Sequence, residues 1–388
     1  MSQHYDVAVI GTQTSGLIAA ALLAKQERRV VVIDHGENVR FYRHHGVHMP
    51  LVPTLVPSFE DSPAIKRVHE ELGIGPEIRA QVAMDEPVFQ AITPGHRIDV
   101  FSKAPAFLEE LGKEFPDLVE PVRRFLDRLF ELDREISTVL ADLAPLPPRT
   151  WLERLAFKRK LGELSHLNAP FEDAEFLKGN PDDHRVRDLL LGPLTFFGHL
   201  EPEAPSSLHA VRLMARYFRG VLTFKDRLGG LHKMLQDAAT DAGVTFRTGA
   251  LVQSIETDGR RVNRIVADKD RSVTADFLVY NALTPLEDLL HGRASAKVSE
   301  EQRAVRPVGS LLVCNLIVKK DVVPCGMAEA LFLLNGRRSR RSDEPRDPPI
   351  FLRRYPAQRG EANKKRGQGP DLDPAHEVIS IATPVRTT

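Results

Sequence analysis

The sequence predicts an α/β fold, in which a domain built on a doubly covered parallel sheet is interleaved with an α+β domain. Residues 5–34 read as strand, glycine-containing turn, helix and strand, which is the order of one βαβ unit. Helical and strand segments alternate along the rest of the chain, and 388 residues are more than one small core requires. We therefore assign residues 1–60 and 220–300 to the first domain, and residues 61–219 and 301–388 to the second.

The βαβ unit is the clearest local prediction. Residues 7–10 (VAVI) and 30–33 (VVVI) are continuous apolar runs rich in β-branched side chains, which are typical of parallel strands covered on both faces. Residues 16–25 between them are rich in Ala and Leu, which favour a helix. The first domain is therefore expected to begin with strand, helix and strand in immediate succession.

The remaining elements are predicted from periodicity and from turn residues. Apolar side chains recur at helical spacing across residues 119–143, and the proline-rich residues 145–148 end that helix. Residues 336–369 are dense in Arg, Asp, Pro and Gly, which indicates a mobile loop around a short strand at residues 350–352. Further helices are predicted at residues 206–219 and 231–242, and further strands at residues 222–225, 244–247, 251–256, 262–267 and 273–280.

The turn after the first strand has the spacing of a dinucleotide-binding fingerprint. Gly11 supplies the tight turn, Gly16 allows the helix to pack closely, and Ala20 is a small residue one helical turn further on. Asp34 ends the second strand, 23 residues after Gly11, where a carboxylate can accept hydrogen bonds from ribose hydroxyls. Because strand, turn, helix and acid follow in this order, the sequence predicts a Rossmann-like unit with a pyrophosphate at the helix N-terminus.

One position departs from that fingerprint. Gln13 stands where the second glycine is expected, and its side chain would crowd a pyrophosphate unless the turn is wider. Gly11 and Gly16 serve packing as well as the ligand. A Rossmann-like unit that keeps its packing glycines but binds its ligand weakly, or has lost it, is therefore the alternative interpretation.

Several passages resemble one family of flavoproteins. Residues 6–11 and 32–34 are similar to the N-terminus of the FAD-dependent amine oxidoreductase superfamily, in its phytoene desaturase and carotenoid isomerase branch, and distantly to Rab GDP-dissociation inhibitors. The resemblance implies FAD as the cofactor, and it implies that Val252 meets the adenine through its backbone. Other passages that resemble this branch are residues 46–57, 94–99, 229–252 and 281–282.

What the resemblance implies is an oxidoreductase that moves hydride from a bulky apolar small molecule to the flavin. The sequence names no side chain as acid or base, so the catalytic residues stay unassigned. Two alternatives are open: a nonenzymatic binding protein on the same fold, which Gln13 favours, and an NAD-dependent dehydrogenase, which Asp34 would serve equally well. The family's C-terminal glycine-rich segment has no counterpart before Thr388, so we expect slow flavin chemistry from the chain as given.

Composition argues against several other partners and sites. The 53 basic residues balance 53 acidic ones, and the basic residues 336–341 are followed directly by acids and prolines, so no nucleic-acid partner is expected. Cys314 and Cys325 are the only cysteines, and no cluster has metal-ligand spacing, so we expect no metal site. The short N-terminus leaves no room for a signal peptide and no apolar run approaches the ~20 residues of a membrane span, so we expect a cytoplasmic protein.

A tryptophan-containing segment leaves two interpretations open. Trp151, Leu152 and Leu155 lie beside the basic residues 158–160, a combination found in helices that lie on membrane surfaces. Packing of these apolar residues against a neighbouring helix is the favoured interpretation, and peripheral membrane contact is the alternative. The sequence makes no prediction of the oligomeric state.

Overall fold

The computed structural model describes residues 3–34, 41–59, 62–141, 148, 150–167, 189–190, 192–194, 196, 207–224, 230–257, 262–267, 271–282, 284–290, 310–334, 349–359 and 371–385. The chain divides into two compact units, each assembled from separate stretches of sequence. Unit 1 comprises Met1–Arg40, Lys66–Val82 and Phe224–Pro307. Unit 2 comprises Phe41–Ile65, Ala83–Thr223 and Val308–Thr388.

The strands and helices are numbered along the described chain. The strands are β1 (Gln3–Ile10), β2 (Val30–Ile33), β3 (Phe41–His44), β4 (Val47–Pro50), β5 (Val56–Pro57), β6 (Val82–Asp85), β7 (Phe89–Thr93), β8 (His96–Val100), β9 (Val221–Phe224), β10 (Thr245–Arg247), β11 (Val252–Thr257), β12 (Val262–Ala267), β13 (Arg271–Tyr280), β14 (Ser310–Lys319), β15 (Ala330–Leu333), β16 (Ile350–Arg359) and β17 (Asp371–Val385). The helices are α1 (Thr14–Lys25), α2 (Pro63–Leu72), α3 (Gly75–Gln81), α4 (Ala104–Glu114), α5 (Val119–Ala141), α6 (Trp151–Glu163), α7 (Ser207–Phe218), α8 (Gly230–Asp241) and α9 (Leu286–Leu289).

Unit 1 is built on a sheet in which the described strands follow the order β10-β2-β1-β13-β12-β11. Strands β10, β2, β1 and β13 are parallel, whereas β12 and β11 continue the sheet as an antiparallel hairpin. The apolar runs of β1 and β2 are buried, as expected for parallel strands covered on both faces. Helix α1 buries Gly16, Leu17, Ala20, Ala21 and Ala24, and the glycine and the three alanines permit close packing.

Unit 2 contains a larger mixed sheet. Its described strands follow the order β14-β17-β16-β15-β7-β8, and the β3–β4 hairpin joins it at β16. Parallel pairing in this sheet joins β15 to β7, and the other pairings among its described strands are antiparallel. A smaller sheet, in the order β5-β9-β6, completes the strands described in this unit.

The helices of unit 2 enclose the main apolar core. One stripe of α5 supplies Val122, Phe125, Leu126, Leu129 and Ile136 to that core. Asp133 lies on the same buried stripe, fully shielded from solvent, and it is ion-paired with Arg212 of α7 and with Arg219, just beyond α7. The carboxylate therefore ties α5 to α7 inside an otherwise apolar contact.

Most predicted elements are confirmed, and three expectations change. The strand expected at residues 350–352 is a ten-residue strand, β16, while residues 336–348 and 360–369 of the predicted loop lie outside the described residues. The strand β9 at Val221–Phe224 is present, but it pairs with β5 and β6 in unit 2. The packing expected for α6 is wrong, because Trp151, Leu152 and Leu155 are 72%, 59% and 59% exposed. None of the described helices is long and apolar enough to cross a membrane.

Candidate nucleotide-binding site

The candidate site lies in unit 1, where the parallel strands reach their carboxyl ends. The Gly11 amide donates to the Ile33 carbonyl at 2.9 Å, and the Asn281 amide donates to the Ile10 carbonyl at 2.8 Å. Strand β1 stands between β2 and β13, so the chain leaves β1 toward one side of the sheet and later returns on the other. Open α/β sheets bind ligands at such a switch point, outside the carboxyl ends of the strands.

Gly11 and Gly16 are both required by close packing around Asn281. Gly11 has a φ of +99°, and a Cβ atom added there would lie 1.9 Å from the carbonyl oxygen of Asn281. A Cβ atom on Gly16 would lie 3.0 Å from the Gly11 oxygen and 3.3 Å from the Asn281 Cβ atom. The two glycines of the fingerprint therefore serve packing against the end of β13, whatever else they do.

Helix α1 begins directly after this turn. Gln13 is its N-cap residue, with φ −66° and ψ 161°, and its side chain makes no capping hydrogen bond among the described residues. These angles are open to any residue, so the backbone does not demand glycine at this position. The start of a helix favours an anion through its amides and its dipole, and here the Gln13 side chain stands beside it without capping it.

Asp34 follows β2 and is held by its backbone and its side chain. The Asp34 amide donates to Arg247 at 2.9 Å, and the Ala250 amide donates to the Asp34 carbonyl at 3.3 Å. The hydroxyl of Thr12 donates to Oδ1 of Asp34 at 3.3 Å, which links the carboxylate to the glycine turn. Val252 lies two residues beyond Ala250 with its side chain buried in the core, so its contact with a ligand would be made by its backbone.

The structure brings four of the six predicted site residues to the carboxyl edge of the parallel strands, places Val252 near Asp34 through Ala250, and places Ala20 behind the turn. Gly11, Gln13 and Gly16 form the turn and the helix start, and Asp34 is bonded to the residue two positions before Val252. Ala20 lies one turn into α1 with its side chain fully buried, so its role there is to pack the helix on the sheet.

Four further residues, Thr12, Ser15, His232 and Asn281, complete the turn and were not among the predicted site residues. Asn281 contacts both glycines, and its side chain lies within hydrogen-bond distance of the Ser15 hydroxyl at 3.0 Å. The Thr12 carbonyl accepts from Nε2 of His232 in α8 at 2.8 Å, which defines the ring tautomer. Asn281 directly follows a strand, a signal that sequence reading can use, whereas a histidine 220 positions away from Thr12 carries none.

The residues at this edge fit the ADP half of a dinucleotide in three respects. A left-handed glycine shapes the turn, a helix starts directly behind it, and a carboxylate oriented by Thr12 lies at the end of the neighbouring strand. Gln13 is the one poor fit, because its side chain stands at the helix start where a pyrophosphate would lie. The arrangement can bind and orient an adenosine-containing ligand.

Comparison with known proteins agrees with this geometry. Residues 9–72 match the family model described as an NAD(P)-binding Rossmann-like domain. The chain therefore carries a dinucleotide-binding domain of the Rossmann type, and the predicted fold class is confirmed.

Proteins of similar sequence indicate which type of Rossmann domain this is. The chain is 27% identical to a phytoene dehydrogenase of Streptomyces griseus over 302 residues, which cover 74% of this chain and 56% of the relative. It is 24% identical to a chloroplastic prolycopene isomerase of Arabidopsis thaliana over 339 residues, which cover 82% of this chain and 55% of the relative. The chain thus spans about half the length of these curated relatives.

Solved structures share the fold at low sequence identity. A protein of Pyrococcus furiosus superposes with a TM-score of 0.56 at 14% identity, covering 98% of this chain and 80% of the other. A putrescine oxidase bound to putrescine gives a TM-score of 0.52 at 15% identity, covering 99% and 76%. The predicted resemblance is confirmed: the Rossmann domain is of the type found in FAD-dependent oxidoreductases, and the relatives include phytoene dehydrogenase and prolycopene isomerase.

Proposed function

We propose that the chain is an FAD-dependent oxidoreductase similar to phytoene desaturases, and that unit 1 binds the ADP half of FAD. The observation that carries this proposal is the Asp34 carboxylate, which Thr12 holds beside the glycine turn and the start of α1. In this assignment Gly11 and Gly16 shape the pyrophosphate site, and Ala20 packs α1 on the sheet behind it. Asp34 binds the adenosine ribose, and the Val252 backbone contacts the adenine.

The proposed substrate is a bulky apolar small molecule. Support comes from the relatives, whose names include phytoene dehydrogenase and 4,4'-diapophytoene desaturase. The bound flavin would supply the hydride acceptor, and the protein would supply orientation and a site from which water is excluded. We assign unit 2 to the substrate, and no side chain of the chain is assigned as acid or base.

Equilibrium binding tests the cofactor proposal. Purified chain would be titrated with FAD, ADP and NAD, following the flavin absorbance for FAD and heat release for all three ligands. The proposal requires FAD to bind more tightly than NAD, and tighter binding of NAD would favour a nicotinamide-dependent dehydrogenase. For the substrate, anaerobic bleaching of bound flavin by an apolar polyene, but not by a polar amine, is the expected result.

A nonenzymatic binding protein on the same fold is the second candidate. Two observations favour it: Gln13 stands at the start of α1, and Gly11 and Gly16 are already accounted for by their packing on Asn281. Under this alternative the chain would bind no FAD at micromolar concentrations although unit 1 is folded. The same titration therefore separates the two candidates.

We also propose that α6 contacts an anionic membrane surface, which would make the protein a cytoplasmic one that binds membranes peripherally. Trp151, Leu152 and Leu155 are exposed and lie close together on one side of the helix. Arg154 and Lys158 are exposed beside them. Helices that lie in the membrane interface combine an apolar face with basic residues, which are attracted to anionic lipids.

A further inference from the structure

One row of side chains on the buried face of the large sheet in unit 2 is polar. Strand pairing aligns Asn315 of β14 with Ser380 of β17, and Ser380 with Arg353 of β16. Residues paired across neighbouring strands point to the same face, with Cβ atoms about 5 Å apart. Asn315, Ser380 and Arg353 therefore form a continuous line across three strands, which we call the polar row.

The polar row runs between two rows that are mainly apolar. Two residues further along each strand, the paired side chains on one side are Val313, Ala382 and Phe351. On the other side they are Ile317, Val378 and Tyr355. Tyr355 is buried, its hydroxyl accepts a hydrogen bond from the Thr54 amide, and burial raises the pKa of that hydroxyl. Apart from the Tyr355 hydroxyl, the hydrogen-bonding side chains of these three rows lie in one line.

Four polar atoms of this row are buried without a hydrogen-bond partner among the described residues. They are Oδ1 of Asn315, Oγ of Ser380, and Nε and Nη1 of Arg353. Ser380 is 0% exposed and the Arg353 side chain is 5% exposed. Buried polar atoms in folded proteins almost always have a partner, because leaving them unpaired is costly. Four such atoms in one row are an unusual concentration of unsatisfied hydrogen-bonding groups.

The remaining atoms of the row are already engaged, and these contacts define its charge. Nη2 of Arg353 donates to Oδ2 of Asp85 at 2.8 Å and to the Thr223 hydroxyl at 2.6 Å. A carboxylate oxygen of Glu329 lies 3.8 Å from the same nitrogen. Because carboxylates already balance the guanidinium, the row offers hydrogen-bond donors without an excess positive charge. At the other end, Nδ2 of Asn315 donates to the Pro50 carbonyl at 2.8 Å.

We propose that the polar row binds a neutral oxygen group, a hydroxyl or a carbonyl, at one end of an otherwise apolar ligand. Arg353 supplies N–H donors to the oxygen, and Ser380 can donate or accept. Oδ1 of Asn315 accepts only, so it can receive the proton of a hydroxyl group. The flanking rows contact the hydrocarbon next to the oxygen. This inference rests on the proposed function only in taking the ligand to be an apolar molecule, and it does not require bound FAD.

Binding of four probes with one hydrocarbon skeleton tests the inference. Retinol, retinal, retinoic acid and the parent hydrocarbon axerophthene would be titrated from the same mild detergent, following polyene absorbance. We expect retinol and retinal to bind about 5- to 10-fold more tightly than axerophthene, the gain from one or two net hydrogen bonds. Retinoic acid is expected to bind no more tightly than retinol. Equal affinities for retinol and axerophthene would overturn the proposal, because water would then be the occupant of the row. A clear preference for retinoic acid would also overturn it.

Substitutions in the polar row test whether its residues cause the preference for retinol over axerophthene. Ser380→Ala removes one buried oxygen and should reduce the preference for retinol over axerophthene about 3-fold. Cys314→Ala is the matched control, because it also removes one atom, from the exposed neighbour of Asn315 on the opposite face. Arg353→Lys keeps the charge opposite Asp85 but loses the planar set of donors, and it should abolish the preference. If that variant does not fold, Ser380→Ala decides, and an unchanged preference in Ser380→Ala contradicts the inference.

Measuring FAD binding on the same samples distinguishes this inference from the cofactor proposal. FAD binding would be recorded for each variant, and Asp34→Ala, a change in unit 1, should leave the probe preference unchanged. A chain that binds no FAD but prefers retinol contradicts the proposed cofactor alone. A chain that binds FAD but shows no preference contradicts the polar row alone.

Discussion

The carbonyl oxygen of Asn281 lies 1.9 Å from the position that a Cβ atom on Gly11 would occupy, so the end of β13 closes over the turn that follows β1. Two strands that are distant in sequence thus meet with no room for a side chain between them. Two independent constraints require glycine at position 11, because its φ of +99° disfavours any other residue even without the close contact. This double requirement can be tested because the chain contains a glycine that has only one of the two constraints.

Gly11→Ala should destabilise unit 1 more than Gly249→Ala does. Gly249 also has a positive φ, +62°, but a Cβ atom there would meet nothing within 4 Å. The control should therefore lose roughly 1–2 kcal/mol of unfolding free energy from backbone strain alone. Gly11→Ala adds the collision with Asn281 and should lose several kcal/mol in all, on the order of the largest single-substitution effects. Urea unfolding measures both values, and equal losses would contradict the close contact.

Asp34→Ala should weaken FAD and ADP binding by about 1.5–3 kcal/mol, the worth of charge-assisted hydrogen bonds to a ribose. Asp276→Ala is the control, because it removes an exposed carboxylate from β13 of the same unit. Isothermal titration of both variants with ADP gives the difference. An affinity unchanged by the loss of Asp34 would place the ribose contact elsewhere.

Gln13→Gly should tighten FAD binding if the side chain crowds the pyrophosphate. Gln13→Ala separates two causes, since it removes the amide and keeps the Cβ atom. If the amide is the obstacle, both variants gain affinity, and if the Cβ atom is the obstacle, only Gln13→Gly does. Weaker binding in both variants would instead make the Gln13 amide a ligand contact and show that the turn works differently from the fingerprint.

Asp133→Asn should cost about 3 kcal/mol of unfolding free energy, within the range seen when one partner of a buried ion pair is removed. The substitution keeps the shape of the side chain and leaves Arg212 and Arg219 without the negative charge between them. Asp127→Asn, on an exposed turn of the same helix, should change stability by no more than about 0.5 kcal/mol. Thermal or urea unfolding compares the two, and a loss of the same size in Asp127→Asn would show that Asp133 has no special role.

Substituting both Trp151 and Leu155 by Ser should reduce binding to vesicles that contain phosphatidylserine. The wild-type chain should sediment with such vesicles and much less with vesicles of phosphatidylcholine alone, because Arg154 and Lys158 respond to the anionic surface. Leu312→Ser and Leu316→Ser together are the control, since these exposed leucines lie on β14. Equal sedimentation of wild type and the α6 variant would exclude α6 as the contact.

The βαβ unit was predictable from sequence because its signals are local. Continuous apolar runs, an alanine-rich helix and a glycine turn lie within 34 residues, and β2 coincides with the predicted residues 30–33. Asn281 could be placed after a strand but not against Gly11, since that contact depends on how β1 and β13 pair. The hydrogen bond between Thr12 and Asp34 likewise depends on the conformations of two loops, which no sequence pattern predicts.

The fold of unit 2 was less predictable from sequence, because the burial of several of its residues differs from what the local composition suggests. The region around Arg353 is rich in charge and proline, which is typical of an exposed loop, yet alternate residues of β16 are buried by strands that come from elsewhere in the chain. The opposite error occurred at α6, where an apolar cluster that suggested a packed helix is exposed. In both cases the outcome depends on partners distant in sequence.

The contact between Asn281 and the glycine turn also bears on the order in which the protein can fold during its synthesis. Ser15 and Asn281 are separated by 266 positions, so β1, α1 and β2 leave the ribosome long before β13 exists. Until then β1 lacks one neighbour in the sheet and the turn lacks the backbone that covers it. Domains generally fold as units during translation, and this one is complete only when its third stretch has been made. Under the proposed function, a nucleotide would therefore stabilise only the finished unit, and it would not assist the N-terminal segment during most of its time on the ribosome.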